Sequence, residues 1–179
     1  VVNFGVPSDE EAAHDHLWRY HRQTPERGKV VIFNRSHYEG VLVERVKDLA
    51  PKSVWKERYE HFNTFERFLV GEGTTVMKFF LHISKEEQRE RLQERIDNPK
   101  KQWKFRMGDL EERKYWDDYQ AAFEDMVDKC NTEWATWHVV PANRKWYRDY
   151  VIAQALVEKL ESLGMEYPPA EGIDGLVVE

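Results

Sequence analysis

The feature that most constrains the fold is a short, continuous apolar run that ends in a polar cluster. The run is Val30-Val31-Ile32-Phe33, and Asn34-Arg35-Ser36-His37 follows it at once. A strand whose residues are apolar without alternation is typical of a parallel sheet that is covered on both faces. We therefore predict a buried strand over Lys29–Asn34, with the polar residues at its carboxyl end.

Strands and helices are predicted to alternate along the whole chain. Further strands are predicted at Val1–Val6, Thr74–Ile83 and Thr136–Val140. The first predicted helix runs from Ser8 to Pro25, with Ser8 and Glu11 as a reciprocal capping box. Further helices are predicted over Tyr38–Leu49, from Pro51 to Gly71, from Ser84 to Ile96, and after a cap formed by Asp109 and Glu112. The last is predicted over Arg144–Leu163, with Ile152, Leu156, Leu160 and Leu163 facing inward. This alternation predicts an α/β domain with a mostly parallel sheet, in which ligands bind beyond the carboxyl ends of the strands.

Composition narrows the class of protein. The chain has 179 residues and a net charge of -6, which favours one domain and argues against non-specific binding of nucleic acid. No apolar stretch has the length of a membrane span. The single cysteine, Cys130, has no internal disulfide partner and fits a reducing, cytoplasmic compartment. The histidines lack the spacing of a zinc site.

The first candidate site is the polar cluster after the predicted strand Lys29–Asn34. A P-loop phosphotransferase places residues that support Mg²⁺ and its waters at such a position. Arg35 could bind phosphate oxygens with both arms of its guanidinium, Ser36 could bind a phosphate or a metal-bound water, and Glu39 could assist the metal. The alternative is an ordinary turn from a strand into a helix, in which Asn34 or Ser36 serves only as a cap.

The second candidate site is the arginine-rich helix that begins after Ser84. Arg91 and Arg95 are four residues apart and share one face, and Lys104 follows in a basic segment around Trp103. A chain of phosphates would bind such a surface. The alternative is a solvated helix with weak ion pairs, because glutamates interleave with the arginines.

Four stretches in order resemble the polyphosphate kinase 2 family. They are Gly28–Val46, with Asn-Arg-Ser-His-Tyr-Glu at its centre, Lys78–Leu92, Asn98–Phe105 and Val140–Tyr147. The resemblance covers about Phe4 to Pro168. Asn34 stands where the family more often has aspartate, and His37 where it has tryptophan. The form with Asn-Arg-Ser-His-Tyr resembles the subgroup that also uses nucleoside monophosphates.

The resemblance implies a P-loop fold similar to thymidylate kinase, over residues 1–168, with a helical lid at about 84–108 and a loose tail at 169–179. It implies Mg²⁺-dependent transfer of a terminal phosphate between inorganic polyphosphate and a nucleotide (AMP/ADP or GMP/GDP). Arg35, Asn34 and Glu39 would be catalytic, with Glu39 near the metal. Arg35, Ser36, Arg91, Arg95 and Lys104 would bind phosphate or nucleotide. We expect a homo-oligomer without a nucleic-acid or membrane partner.

The sequence lacks the glycine-rich, lysine-containing loop that cradles phosphates in P-loop enzymes. The resemblance places that loop, and a central strand, before Val1, so we expect the domain to be incomplete at its amino end and inactive alone. Two alternatives remain for its function. One is a nucleoside monophosphate kinase that uses ATP as the donor, and the other is a catalytically silent fragment that binds polyanions.

Overall fold

The computed structural model describes residues 1–167, where strands and helices alternate as the sequence predicts. The elements in chain order are β1 (Val2–Asn3), α1 (Asp9–Ala12), α2 (Trp18–His21), β2 (Phe33–Asn34), α3 (Val43–Val46), α4 (Lys52–Gly71), β3 (Lys78–His82), α5 (Lys85–Asp97), α6 (Met107–Arg113), α7 (Trp116–Cys130), β4 (Trp137–Pro141) and α8 (Lys145–Ser162). Two 3-10 helices follow β2 and α5, at His37–Gly40 and Gln102–Lys104. The expected tail at 169–179 lies outside the described residues.

The strands form two separate parallel pairs. β1 pairs with β2, with Val2 opposite Phe33, and β3 pairs with β4, from Lys78 opposite Trp137 to His82 opposite Pro141. Within residues 1–167 no strand hydrogen bonds join one pair to the other. The parallel α/β architecture is confirmed, and each pair has two outer edges that no described strand occupies.

The strand β2 is much shorter than the predicted strand over Lys29–Asn34. Only Phe33 and Asn34 form a ladder, while Val30 is 80% and Ile32 58% exposed. The continuous apolar run indicated neighbours on both faces and both edges. In the described residues β1 covers one edge over two positions, so the rest of the run has nothing to pair with.

Side-chain caps divide the first predicted helix. Ser8 and Glu11 form the predicted reciprocal capping box at the start of α1. The helix nevertheless stops after Ala12, because Asp15 accepts hydrogen bonds from the backbone N–H groups of Leu17 and Trp18 and starts a new turn. The result is two short helices, α1 and α2, in place of one.

Two further helix predictions need correction. Asp109 does not cap α6, which begins earlier, at Met107, and has no side-chain cap; the Asp109 carboxylate pairs with Arg95 instead. The predicted helix Tyr38–Leu49 is a 3-10 turn followed by the short α3. Asp48 ends it in the left-handed backbone region, at φ 53°.

The main apolar core lies between the 3-10 helix after β2 and the helices α4 and α7. Its buried members are Tyr38, Val41, Tyr59, Phe62, Met126 and Cys130. The polar loop after β2 therefore continues directly into the core. The face of α8 that the sequence predicts to be inward stays open in the described residues: Leu156, Leu160 and Leu163 are 38%, 41% and 47% exposed. No helix in residues 1–167 is long and apolar enough to cross a membrane.

Candidate functional site

The loop after β2 carries a strained residue at its exposed tip. Arg35 has φ 62°, in the left-handed region that side chains other than glycine seldom adopt. Such a conformation costs on the order of 1–3 kcal/mol and persists only where the surrounding structure enforces it. Ser36 returns to extended backbone, and its Oγ accepts a hydrogen bond from the Tyr38 N–H at 3.4 Å, which caps the 3-10 helix. Strained, exposed positive charge of this kind is a feature of ligand sites.

Asn34, which precedes the strained arginine at the end of β2, is hydrogen-bonded to the neighbouring strand β1. The Asn34 side chain donates from Nδ2 to Asn3 Oδ1 at 2.7 Å, across the carboxyl ends of β2 and β1. The amide is exposed, so its second N–H can still reach a ligand. Asn34 therefore ties the two strand ends together beside Arg35.

Arg35 and Glu39 lie close enough to influence each other electrostatically. Burial raises the pKa of the Glu39 carboxyl, and the Arg35 guanidinium only partly offsets this effect. Neither side chain forms a salt bridge with another described residue. The pair therefore offers a free guanidinium and a half-buried carboxylate at the end of a parallel strand.

Helices α6 and α7 border the site with a tyrosine and a carboxylate. The Tyr119 hydroxyl donates to Glu112 Oε2 at 2.9 Å, and Glu112 Oε1 accepts from Lys47 Nζ at 2.8 Å. Burial and then Glu112 raise the pKa of Tyr119, and the charges of Glu39 and Arg35 also reach it. Tyr119 is thus a group outside the loop whose pKa responds to the charges of both Arg35 and Glu39.

A buried ionic network lies beneath the loop. Glu66 on α4 is 1% exposed, and it accepts hydrogen bonds from Lys78 Nζ at 2.7 Å, the Tyr38 hydroxyl at 2.8 Å and His37 Nε2 at 3.2 Å. The sequence patterns did not single out Glu66 and Lys78 as site residues. A signal was present, because Lys78 interrupts an apolar strand and Glu66 shares the inner face of α4 with Phe62 and Phe65.

The basic residues of the predicted lid are already paired. Arg91 Nε donates to Glu87 at 2.7 Å, and its Nη2 donates to the carbonyls of Ala142 and Asn143 at 2.6 and 3.0 Å. Arg95 pairs with Asp109 at 3.2 Å, and the Lys104 ammonium lies 5.0 Å from the ring centroid of Trp103. Among the described residues no hydrogen bond or salt bridge connects these three basic side chains to the loop that holds Arg35.

The carboxylates of the described residues do not form a ready metal cage. Within residues 1–167 no group of three or more histidine, cysteine, aspartate or glutamate side chains converges on one point. Mg²⁺ commonly binds through one or two carboxylates with water and substrate phosphates supplying the other ligands. A single carboxylate such as that of Glu39 fits that pattern. Cys130 is buried, and burial raises the pKa of its thiol to about 11, so it fits the core and not a reactive site.

Sequence comparison places this loop and its surroundings in a family. The model of the family described as polyphosphate kinase 2 matches residues 1–167. This chain belongs to that family. The assignment agrees with the resemblance carried by the residues around Arg35.

Relatives and a solved structure of the polyphosphate kinase 2 family match almost all of the chain. An AMP/ADP-polyphosphate phosphotransferase from Meiothermus ruber is 58% identical over 180 positions, which cover 100% of this chain and 67% of that protein. An ADP-polyphosphate phosphotransferase from Rhodopseudomonas palustris is 44% identical, over 94% of this chain and 62% of that protein. The crystal structure of polyphosphate kinase 2 from Arthrobacter aurescens matches with a TM-score of 0.93 and 46% identity, over 95% of this chain and 60% of that one. The chain thus spans about two thirds or less of these relatives.

Proposed function

We propose that the protein transfers a terminal phosphate between inorganic polyphosphate and a nucleoside mono- or diphosphate. The observation that carries the proposal is Arg35, which has an enforced left-handed backbone, an exposed guanidinium and no salt bridge among the described residues. The names of the relatives from Meiothermus ruber and Rhodopseudomonas palustris support polyphosphate as the partner of AMP or ADP. They also favour polyphosphate over ATP as the phosphate donor.

In the proposed mechanism, the loop residues bind the phosphate that is transferred. Arg35 donates two hydrogen bonds to its oxygens and stabilises the charge that develops on them in the transition state. Ser36 donates its hydroxyl to a neighbouring phosphate, and Asn34 holds the strand ends in register beside it. The half-buried carboxylate of Glu39 lies within electrostatic reach of Arg35, but the two side chains form no salt bridge with each other.

We propose that Mg²⁺ is the cation of this reaction and that Glu39 holds it directly or through water. When bound, the ion would neutralise charge on the phosphate oxygens. Residues Arg91, Arg95 and Lys104 would approach the phosphates from the lid at 84–108. In that step Arg91 would exchange the carbonyls of Ala142 and Asn143 for phosphate oxygens.

We also propose that the domain is completed by a strand outside the described residues, inserted between β2 and β3. The two separate strand pairs and the shortened β2 support this arrangement. Such a strand would also bring the phosphate-cradling loop that the sequence lacks. Residues 1–179 expressed alone are therefore expected to unfold with low cooperativity and to show no phosphate transfer.

The test uses the intact protein with polyphosphate, Mg²⁺ and AMP, ADP, GMP or GDP in parallel. We expect the nucleotide to be phosphorylated without added ATP, and we expect this activity to be lost when the divalent cation is chelated. Phosphorylation of AMP that requires ATP and ignores polyphosphate would instead establish the nucleoside monophosphate kinase. Tight polyphosphate binding without any turnover would establish the silent binding protein. Native mass measurement in the same buffer tests our expectation of a homo-oligomer.

A further inference from the structure

The strained backbone at Arg35 must be held by residues that follow it. The two residues after Ser36, namely His37 and Tyr38, are 8% and 3% exposed and point into the domain. Both side chains end on the same atom, Glu66 Oε1, at 3.2 and 2.8 Å. The loop is thus fastened within three residues of Arg35 to one buried carboxylate.

The fastening pairs the charges of Glu66 and Lys78, while His37 Nδ1 is buried without a hydrogen-bond partner among the described residues. The ammonium of Lys78 uses all three of its hydrogens, on Glu66 Oε2 at 2.7 Å, the Tyr38 hydroxyl at 2.9 Å and the Cys130 carbonyl at 2.7 Å. The Tyr38 hydroxyl accepts from Lys78 and donates to Glu66. The network therefore joins the loop to α4, β3 and the end of α7.

Electrostatics keep the carboxylate of this network ionised. Burial acts to raise the pKa of Glu66, but the hydrogen bonds and charges of His37 and Lys78 outweigh it and hold the pKa below its usual range. The same burial, followed by Glu66, raises the pKa of Tyr38, which therefore stays a hydrogen-bond donor. In this network Glu66 therefore acts as the acceptor, and the Tyr38 hydroxyl donates to it.

Stability alone is a poor reason for a buried pair such as Lys78 and Glu66, whose side chains are 5% and 1% exposed. A well-packed apolar pair of similar volume is often as stable as a buried ion pair or more so. Apolar contacts, however, have little directionality, whereas hydrogen bonds fix the side chains they join. Burying the two charges costs desolvation free energy, and the hydrogen bonds fix the positions of the side chains that they join.

We propose that Glu66 and Lys78 are positioning residues that place the Arg35 guanidinium by fixing His37 and Tyr38. This inference rests on the proposed function, in which Arg35 binds the transferred phosphate. A shift of about 1 Å in a group that contacts the reacting phosphate lowers the rate on the order of 100-fold. The network is therefore expected to act on kcat through Arg35 and not through contact with substrate.

The test is a double-mutant cycle in the intact protein. One arm replaces the ion pair by apolar residues of similar size, Glu66→Leu with Lys78→Met, and a gentler arm is Tyr38→Phe, which removes a single hydroxyl. Each arm is made with Arg35 and with Arg35→Ala, and kcat, KM and thermal unfolding are measured. Expected is a fall in kcat on the order of 100-fold for the apolar pair with Arg35 present. In the Arg35→Ala background the same change should alter kcat by no more than about twofold.

A matched control is Met126→Ala, which removes buried atoms from the same core but takes no part in the hydrogen bonds of the network. It should lower the unfolding temperature without lowering kcat. Losses of kcat that multiply in the Arg35→Ala background would overturn the proposal, because the network would then act on the rate independently of Arg35. A lower unfolding temperature with an unchanged kcat would also overturn it and assign the network to stability alone. If the apolar pair does not fold, an unchanged kcat in Tyr38→Phe overturns it equally.

Binding separates this proposal from the proposed function. Tripolyphosphate is the probe, and its affinity for the intact protein is measured by calorimetry through the same cycle. The network variants should weaken binding when Arg35 is present and leave it unchanged in Arg35→Ala. An absence of turnover in the wild type would refute phosphate transfer, while the binding cycle would still decide whether Glu66 and Lys78 act through Arg35.

Discussion

The loop that holds Arg35 and the helix α5 both carry arginines, but the side chains are in opposite states. In the loop, the Arg35 guanidinium is exposed and forms no salt bridge with a described residue, and its backbone is strained. On α5, Arg89 pairs with Glu86, Arg91 with Glu87, and Arg95 with Asp109. The Arg35 guanidinium is therefore available to a ligand, whereas the arginines of α5 are already paired with carboxylates.

The difference lies in what supports each region. The loop rests on Glu66 and Lys78, which hold it from below and leave its upper surface unpaired. The α5 arginines are instead satisfied by carboxylates on α5 itself and on α6. An abundance of arginine is therefore a weaker indication of a phosphate site than one arginine held in a costly conformation.

The strongest way to break this comparison is to remove the guanidinium at Arg35. In the intact protein, Arg35→Ala is expected to lower kcat by about 100-fold or more, because the group stabilises charge that develops in the transition state. Arg35→Gly should be as inactive but more stable than Arg35→Ala by about 1 kcal/mol, because glycine adopts the left-handed backbone without strain. Steady-state rates and denaturant unfolding check the two parts separately.

The outcome that would contradict this assignment is a folded Arg35→Ala protein with near-normal kcat. Equal stability of the alanine and glycine variants would show that the backbone at this position is not strained. Either result would remove the contrast between the loop and α5.

A smaller effect is expected from Arg91 on α5. Arg91→Ala removes hydrogen bonds to Glu87 and to two backbone carbonyls, so it should lower the free energy of unfolding by about 1–3 kcal/mol. If the lid proposal is right, kcat should also fall by about tenfold. Arg89→Ala is the matched control, because Arg89 pairs with Glu86 in solvent and should change neither quantity measurably.

These measurements decide between a structural and a catalytic Arg91. A loss of stability with an unchanged kcat would make Arg91 a strut between α5 and the loop after β4. A loss of kcat as large as that of Arg35→Ala, without loss of stability, would mean that the pairing seen here gives way completely to the substrate.

Sequence patterns predicted the architecture because they report local chemistry. The apolar runs located β2, β3 and β4, and the Ser8 capping box was confirmed atom by atom. The long helix α4 follows from the spacing of Tyr59, Phe62 and Phe65. Fold class and family were therefore accessible from residue order alone.

Features that depend on distant partners were not predictable in this way. The length of β2 depends on strands beside it, and the pairing of Lys78 with Glu66 joins a strand to a helix twelve positions earlier in the chain. The pairing of charges on a helix also depends on its neighbours. The pattern of α5 left phosphate binding and ion pairing both open, and only the structure shows that Arg95 reaches Asp109. The roles of Arg35, Asn34 and Glu39 in catalysis, and of Ser36 in phosphate binding, remain predictions.

The smallest expected effect is on the pH dependence of stability, which the half-buried Glu39 carboxylate should lower at neutral pH. Burial raises the folded-state pKa of Glu39, so its contribution to stability is present below the unfolded pKa of about 4.3 and is lost as pH rises through the folded value. Glu39→Gln should therefore unfold at a higher temperature than wild type at about pH 7, and the difference should vanish towards about pH 4.

On α5 the sign is opposite: a hydrogen bond from Arg89 lowers the pKa of Glu86, so any stability from that pair is lost as pH falls. Glu86→Gln, in which solvent screens the lost ion pair, should leave the unfolding temperature nearly unchanged at every pH. A Glu39→Gln protein that is less stable than wild type at neutral pH would mean that Glu39 is an ordinary paired carboxylate, and the loop would then differ little from α5.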